Sequence, residues 1–233
     1  MLKQISLLIL CAVAIVLFAT PVHACTSAVV SGKVTLDGRP LLWKNRDTDF
    51  MRNHVDYVKG ERYDFIAVVN SANAYLKEAW MGTNSAGFAL MNTQSYNLVD
   101  VKGDEERGAA NGRVIYRALE VCATVEDFCH FLDTISKPSD IEANFGVIDA
   151  QGGAAMFEVD YYKYVMYDAN NPKDAPYGYI ARTNFSFAGK VNEGAGYVRY
   201  MEADQVLMKA SATGNITPQF IFNDLSRSFR NRM

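Results

Sequence analysis

The sequence predicts an α+β domain in which helices pack on antiparallel sheets. The strand-like and helical segments occur in groups, namely strands, two helices, strands and two more helices, rather than in βαβ alternation. Short turn signals separate neighbouring strand-like segments, which is typical of antiparallel pairing. An apolar content of 49% with 21% charged residues is ordinary for a globular chain and leaves enough material for one core.

The first two strands are predicted over residues 26–31 and 39–44, joined by a turn that contains Asp37-Gly38. Asp-Gly is a strong hairpin signal, so the two strands pair antiparallel. Cys25 precedes the first strand, and Asp47 follows the second. The hairpin therefore predicts that Cys25 and Asp47 lie close together.

The middle of the chain contains further strand signals and then two helices. Strands are predicted at 65–70, 77–81 and 87–92, with a turn at 84–87 and a loop at 101–112. Apolar spacing predicts a helix over 113–121, and Thr124 is placed as the N-cap of a second helix that ends near Pro138. Cys129 and His130 lie off the apolar stripe of that helix, which indicates surface positions rather than ligands.

The last third repeats the pattern of strands followed by helices. Strands are predicted at 144–149, 154–159, 163–167 and 179–184, with a turn at 151–153 and a loop at 170–176. A helix is predicted over 197–209. Thr217-Pro218 has the N-cap and first-position proline of a final helix.

Residues 1–24 have the organisation of a secretory signal peptide, and residues 25–233 form the predicted domain. Lys3 supplies the basic start, residues 5–19 are almost entirely apolar, and Val22 and Ala24 are small residues before a cut. Cleavage after Ala24 makes Cys25 the first mature residue. We therefore expect export to the periplasm or the outside of the cell. After the signal no apolar run is long enough to span a bilayer.

A mature N-terminal cysteine carries a thiol and an α-amine on one residue, so it supplies both nucleophile and base. Three alternatives remain open: a lipoprotein in which Cys25 is lipidated, a buried structural Cys25, and a papain-like Cys–His pair. His54 and His130 are the mature histidines, and neither has a convincing setting for that pair.

Cysteine content and charge narrow the class of protein. Cys25, Cys122 and Cys129 follow the signal, and their odd number predicts at least one free thiol. None of these cysteines has zinc-ligand spacing, so neither a metal nor a cofactor is expected. A net charge of −3 does not favour a nucleic-acid partner, whereas a small-molecule substrate and a homo-oligomer stay open.

Several short segments resemble the N-terminal-nucleophile hydrolases, in the branch of choloylglycine hydrolases, penicillin V acylases and isopenicillin N acyltransferase-like peptidases. The segments lie between Cys25 and Asn184 in the order of that group: Cys25-Thr26-Ser27, Asp37-Gly38-Arg39-Pro40, Trp43-Lys44-Asn45-Arg46-Asp47, Gly82-Thr83-Asn84-Ser85-Ala86-Gly87-Phe88, Met91-Asn92 and Thr183-Asn184-Phe185. The resemblance implies an αββα sandwich.

The resemblance also implies a cysteine amidohydrolase that cleaves a linear amide through a thioester. An acyltransferase would differ only in the last step, in which an amine rather than water attacks the thioester. Cys25 is the implied nucleophile, and Asp47 orients its amine, whose pKa is ordinarily about 7.7–8.0. Asn92 and Asn184 are the implied oxyanion donors. Each of these polar residues has an alternative role in a turn, and Arg46 is predicted to face solvent.

Two positions depart from the pattern of the bile-salt hydrolases. Lys44 stands where they carry an arginine, which loses the bidentate fork and favours a different amide. Arg199 is the nearest candidate for a second arginine of the group.

The length of 233 residues is short for this group, so we expect a fold that is incomplete at its C-terminus. A lipid-anchored or inactive binding protein of the same fold is the alternative to an enzyme.

Overall fold

The structure, a computed structural model, describes residues 25–100 and 108–227. The predicted signal peptide, most of the predicted loop at 101–112 and the last six residues lie outside the described residues. Ten strands in the described part form two antiparallel sheets. In chain order they are β1 Thr26–Val30, β2 Leu41–Asn45, β3 Asn53–Val58, β4 Phe65–Asn70, β5 Met81–Asn84, β6 Ala89–Gln94, β7 Ala143–Ile148, β8 Ala154–Val159, β9 Tyr164–Asp168 and β10 Tyr179–Arg182.

The smaller sheet has the strand order β10-β1-β2 and carries the predicted first hairpin. Thr26 pairs with Asn45 and Val30 with Leu41, so the start of β1 meets the end of β2. On the other side of β1, Ser27 pairs with Arg182. This register brings the residues before β1, after β2 and after β10 to one end of the sheet.

The larger sheet contains the seven strands β3 to β9 in sequential order. Every neighbouring pair is antiparallel, including β6 and β7, which are joined by a long connection rather than a short turn. Gly146 in β7 faces the smaller sheet, because a Cβ at this position would lie 2.1 Å from Cε of Met91 and 2.9 Å from Cγ2 of Val29. The absence of a side chain there lets the two sheets approach.

Helices cover the outer face of each sheet. The described helices are α1 Asn111–Val121, α2 Val125–Thr134, α3 Tyr197–Ser211 and α4 Pro218–Phe220, which continues as a π-helical turn over Ile221–Leu225. Thr124 caps α2 in a capping box with Asp127, and the side chain of Thr217 accepts from the N–H of Phe220. Both predicted threonine caps are therefore present.

Three apolar clusters fill the spaces between the four layers. Phe128 and Leu132 of α2 pack with Phe145 and Phe157 on the outer face of the large sheet. Val29 and Met156 belong to the cluster between the sheets. The third cluster joins the small sheet to the second helical layer through Ala28, Trp43, Ala203 and Leu207. The layers are thus α, β, β and α, which confirms the predicted αββα sandwich.

Some element boundaries differ from the predictions. β3 has no predicted counterpart, because its side chains are mostly exposed and give no apolar alternation. The strand predicted at 77–81 is wrong in its bounds, since β5 runs over Met81–Asn84 and a left-handed Lys77 precedes it. Gly112, predicted in a loop, lies in the first turn of α1. Asn184 lies beyond β10 and forms an isolated bridge with Ala195.

Candidate active site

Cys25 lies at the end of the small sheet where the hairpin register predicts it. Its Sγ donates to the backbone oxygen of Asp47 at a distance of 3.7 Å, so the two residues are neighbours. The side chain of Asp47 is exposed, and its charge reaches the guanidinium of Arg199, whose pKa it helps to raise. The predicted proximity of Cys25 and Asp47 agrees with this geometry.

A cavity of about 360 Å³ opens beside Cys25. Polar residues from the end of β2 and from β6 form part of its wall, and aromatic rings form another part. The wall includes Cys25, Lys44, Arg46, Asp47, Asn92, Gln94, Phe50, Trp80 and Tyr96. The combination of a thiol, cations and aromatic surface in one concave site is typical of a small-molecule site.

Lys44 reaches across the two sheets to Asn92. Its Nζ donates to Oδ1 of Asn92 at 3.0 Å and to the backbone oxygen of Trp80 at 2.9 Å. Because an ammonium group can only donate, it fixes the carboxamide of Asn92 with Oδ1 towards the lysine. The N–H groups of Asn92 are then left for another acceptor. Burial lowers the pKa of Lys44 to about 8, with Arg46 adding to the shift and a Cys25 thiolate opposing it.

Arg199 joins Cys25 to Asn184 on the other side of the site. Its guanidinium donates to the backbone oxygen of Cys25, to Oγ1 of Thr26 at 3.0 Å and to Oδ1 of Asn184 at 2.9 Å. Burial lowers the pKa of Arg199, while Cys25 and Asp47 raise it. The tertiary fold thus brings Arg199 to the site.

The side chain of Asn184 is fully buried and does not line the cavity. Its Nδ2 donates to the backbone oxygen of Gln94 at 2.8 Å, and its Oδ1 faces Arg199. The structure therefore places Asn92 on the cavity wall and Asn184 behind Arg199. Asn92 and Asn184 were both predicted as oxyanion donors, but their carboxamides occupy different positions in the structure.

A glycine allows the close approach of Arg199. Gly196 has φ +90°, and a Cβ there would lie 2.4 Å from Nη2 of Arg199 and 2.8 Å from Oγ1 of Thr183. The left-handed backbone and the lack of space both favour glycine at this position. The Gly194-Ala195-Gly196 segment therefore positions Arg199.

Arg46 does not face solvent as predicted, and this expectation is wrong. The side chain is partly buried, and its guanidinium lies 5.1 Å from the centroid of the Trp80 ring. It donates to Oδ1 of Asn70 at 2.8 Å and to Oδ1 of Asn53. The sequence carries a signal that could have placed Arg46 at the site. Arg46 follows Lys44 by two residues, and side chains at i and i+2 of an extended chain share a face.

Buried polar groups hold the segment that carries Asn184. Arg182 and Glu158 form an ion pair at 2.6 Å, and their side chains are 3% and 0% exposed. Glu158 also accepts from the backbone N–H groups of Phe187 and Ala188 at 2.9 and 2.7 Å. The Nδ2 of Asn144 contacts the carbonyl oxygens on both sides of Asn184. These bonds connect both sheets to the 183–188 segment.

The other thiols and the histidines lie elsewhere. Cys25, Cys122 and Cys129 are all free, in agreement with the predicted free thiol. Burial raises the pKa of Cys122 to about 12 and also raises the pKa of Cys129. His54 contacts Oγ of Ser71 and His130 lies beside Glu126, so neither histidine is paired with Cys25. Within 25–100 and 108–227, no cluster of three metal-ligating side chains occurs.

The αββα fold is the fold of the N-terminal-nucleophile hydrolases, and the sequence comparison identifies the family. Residues 35–212 match the family described as acyl-coenzyme A:6-aminopenicillanic acid acyl-transferase. The chain belongs to this family, because the match covers more than half of its length. No curated protein matches the chain.

Solved structures share the fold at low sequence identity. The N-acylethanolamine-hydrolyzing acid amidase orthologue of Caenorhabditis elegans has a TM-score of 0.57 and 15% identity, over 86% of this chain and 89% of that chain. A mutant of the conjugated bile acid hydrolase of Clostridium perfringens has a TM-score of 0.51 and 15% identity, over 87% of this chain and 74% of that chain. A second variant of that hydrolase has a TM-score of 0.52 and 13% identity, over 87% and 74%.

These comparisons confirm the predicted resemblance, the fold and the enzyme class, which acts on linear amide C–N bonds. In the described part of the chain, none of the helices combines the length and the apolar character that a membrane crossing requires.

Proposed function

We propose that the chain is an exported amidohydrolase whose mature form begins at Cys25 and cleaves a linear amide through a thioester on that residue. The observation that carries the proposal is the position of Cys25, which lies at the wall of a cavity beside Asp47 and between two cation–carboxamide pairs. The names of two structural neighbours, a conjugated bile acid hydrolase and an N-acylethanolamine-hydrolyzing amidase, also describe amide cleavage. We infer an N-acyl amino acid, an acylated β-lactam or a similar conjugate as substrate.

The reaction needs the α-amine that signal cleavage would release. In the uncleaved chain the nitrogen of Cys25 belongs to the peptide bond with Ala24 and cannot act as a base. After cleavage the amine takes the thiol proton while Sγ attacks the carbonyl carbon. The C–N bond then breaks, and the proton passes to the departing amine. Water attacks the thioester, which releases the carboxylic acid and restores the thiol.

The surrounding residues then have separate roles in the proposal. Asn92 offers N–H groups towards the cavity, so it is the donor best placed for an oxyanion. Arg199 holds the backbone oxygen of Cys25 and is itself bonded to Asn184, and Lys44 orients Asn92. We propose that Asp47, a neighbour of Cys25, orients the α-amine. Burial lowers the pKa of Lys44, Arg46 and Arg199, and the nearby Cys25 opposes that shift in all three, so three cations surround the nucleophile in the proposal.

Release of a free amine from a panel of amides tests the proposal. The panel contains N-acyl amino acids, penicillin V, conjugated bile salts and N-acylethanolamines, assayed with protein whose intact mass shows Cys25 as the first residue. We expect turnover of at least one substrate class. Cys25→Ser is expected to fold normally and lose most turnover, because a hydroxyl is much harder to deprotonate than a thiol.

Two further measurements separate the alternatives. An uncleaved methionine before Cys25 is expected to abolish turnover, because it converts the α-amine to an amide. An acyl-mass gain on Cys25 in exported protein would contradict the proposal and favour the lipid-anchored alternative. Adding a free amine acceptor during turnover distinguishes hydrolysis from acyl transfer, since only an acyltransferase forms the new amide in preference to the acid.

A further inference from the structure

Arg46 lines the cavity beside Cys25, and only some of its guanidinium N–H groups donate to acceptors in the described residues. Its two protein hydrogen bonds go to Oδ1 of Asn53 and to Oδ1 of Asn70. A guanidinium has five N–H donors, so three remain without an acceptor in the described residues. The Trp80 ring packs 5.1 Å from the guanidinium carbon and restricts the orientation of the side chain.

Within the described residues, no carboxylate neutralises the charge of Arg46. Both of its acceptors are neutral carboxamide oxygens, and no carboxylate of the described residues forms an ion pair with it. Of the two carboxylates on the cavity wall, Glu78 is paired with Arg113 at 3.3 Å and Asp47 acts on Arg199. Arg46 is partly buried, so part of its hydration is lost, and this burial lowers its pKa.

A partly buried cation without a counter-ion is unfavourable unless a ligand supplies the negative charge. We propose that Arg46 is a specificity residue that binds a carboxylate of the substrate close to the scissile amide. This inference rests on the proposed amidohydrolase function and narrows its substrate class. The carboxylate would lie close to the amide, because Arg46 and Cys25 line the same cavity.

The free N–H groups suit a carboxylate better than a neutral oxygen. A guanidinium can bind both oxygens of a carboxylate at once, whereas a hydroxyl or a carboxamide offers a weaker, uncharged acceptor. The amides that carry this charge fall into two classes, with the carboxylate on the departing amine or on the acyl group. Both share the chemistry that Arg46 would recognise.

The experiment compares amides that differ only in charge. N-hexanoylglycine carries the carboxylate on the amine side, and N-hexanoylglycinamide is its neutral isostere. The ethylamide of succinic acid carries the carboxylate on the acyl side, with the ethylamide of succinamic acid as its neutral isostere. We expect kcat/KM to be about 10- to 100-fold higher for the charged member of at least one pair, the usual range for a charged hydrogen bond.

Variants of Arg46 and of its acceptor test the assignment. Arg46→Leu is expected to abolish the preference for the charged member, because kcat/KM should fall about 10- to 100-fold more for the charged member than for the neutral one. Asn70→Asp keeps Arg46 and places a carboxylate on it, so we expect the same loss of preference. This second variant also decides the question if Arg46→Leu does not fold.

Arg62→Leu is the matched control, because Arg62 also stacks on an aromatic ring, at 5.2 Å from Tyr63, but does not line the cavity. Its charge preference should equal that of the wild type. Equal kcat/KM for both members of both pairs would overturn the inference, as would a preference that survives in Arg46→Leu and Asn70→Asp.

Binding separates this inference from the proposed function. Cys25→Ala protein is titrated with the four amides by calorimetry, with and without Arg46→Leu. Tighter binding of a charged member that depends on Arg46 would support the inference even if the wild type cleaves none of them, in which case only the proposed function fails. Equal binding of the charged and neutral members of both pairs would overturn the inference about Arg46.

Discussion

Nζ of Lys44 and Oδ1 of Asn92 are joined by a hydrogen bond of 3.0 Å that links β2 of the small sheet to β6 of the large sheet. Arg199 makes the corresponding contact with Asn184 at 2.9 Å on the other side of Cys25. In each pair a cation fixes the orientation of a carboxamide. At the cavity wall, the Lys44 cation therefore controls which atoms of Asn92 are available to a substrate.

The pH dependence of activity is expected to report Lys44. Burial holds the pKa of Lys44 at about 8, so its ammonium loses its charge as the pH rises through 8. Loss of that charge removes a cation from the cavity and weakens the bond to Asn92, so kcat/KM should fall above pH 8. Lys44→Arg keeps the charge, because an arginine stays protonated. In Lys44→Arg, the fall of kcat/KM on the alkaline side of the pH profile should move to higher pH. An unchanged alkaline side would contradict the role of Lys44.

Gly196→Ala is expected to reduce kcat by displacing Arg199. Its Cβ would lie 2.4 Å from Nη2 of Arg199 and would also place alanine at φ +90°. Gly214→Ala is the matched control, because Gly214 has φ +62° with no atom within 4 Å of the added Cβ. Both variants should lose about 1–2 kcal/mol of unfolding free energy through backbone strain, measured by urea denaturation. Only Gly196→Ala should lose turnover, and equal turnover in the two variants would disprove the positioning of Arg199.

Thiol alkylation of the folded protein should be selective for Cys25. Cys25 lies at the cavity with cations around it, whereas Cys122 is 1% exposed and burial raises its pKa to about 12. We expect iodoacetamide to modify Cys25 first, Cys129 slowly and Cys122 only in denaturant, as followed by mass spectrometry. Modification of Cys122 in the native protein before Cys25 would contradict this order.

Glu158→Ala is expected to destabilise the fold by about 3–5 kcal/mol, because it leaves a buried arginine charge without a partner. Arg182 lies 2.6 Å from Glu158, and both side chains are almost completely buried. Glu126→Ala removes a carboxylate from an exposed pair with His130 and should cost less than about 1 kcal/mol. Urea denaturation measures both variants. A loss below 1 kcal/mol for Glu158→Ala would show that the ion pair does not stabilise the fold.

Elements with strong local signals were predicted well from the sequence. β8 was predicted with its observed bounds, and the Thr124 and Thr217 caps lie where the residue types place them. The bounds of β5 were predicted poorly, because Lys77 to Trp80 lack a local signal that separates a strand from a turn. β3 has exposed side chains and pairs only through its backbone with β4, which leaves no apolar pattern to read.

The sequence alone determined the hairpin that places Cys25 beside Asp47, because the Asp37-Gly38 turn signal and the strand signals on either side of it are local properties of residues 26–47. Only the tertiary structure decided the positions of Arg46, Arg199 and Asn184. Arg199 reaches Cys25 across 174 residues of sequence separation. Arg46 is withdrawn from solvent by Trp80 and by Asn70, which come from other strands and connections. Contacts between distant segments depend on how the two sheets pack, and no local spacing encodes that packing.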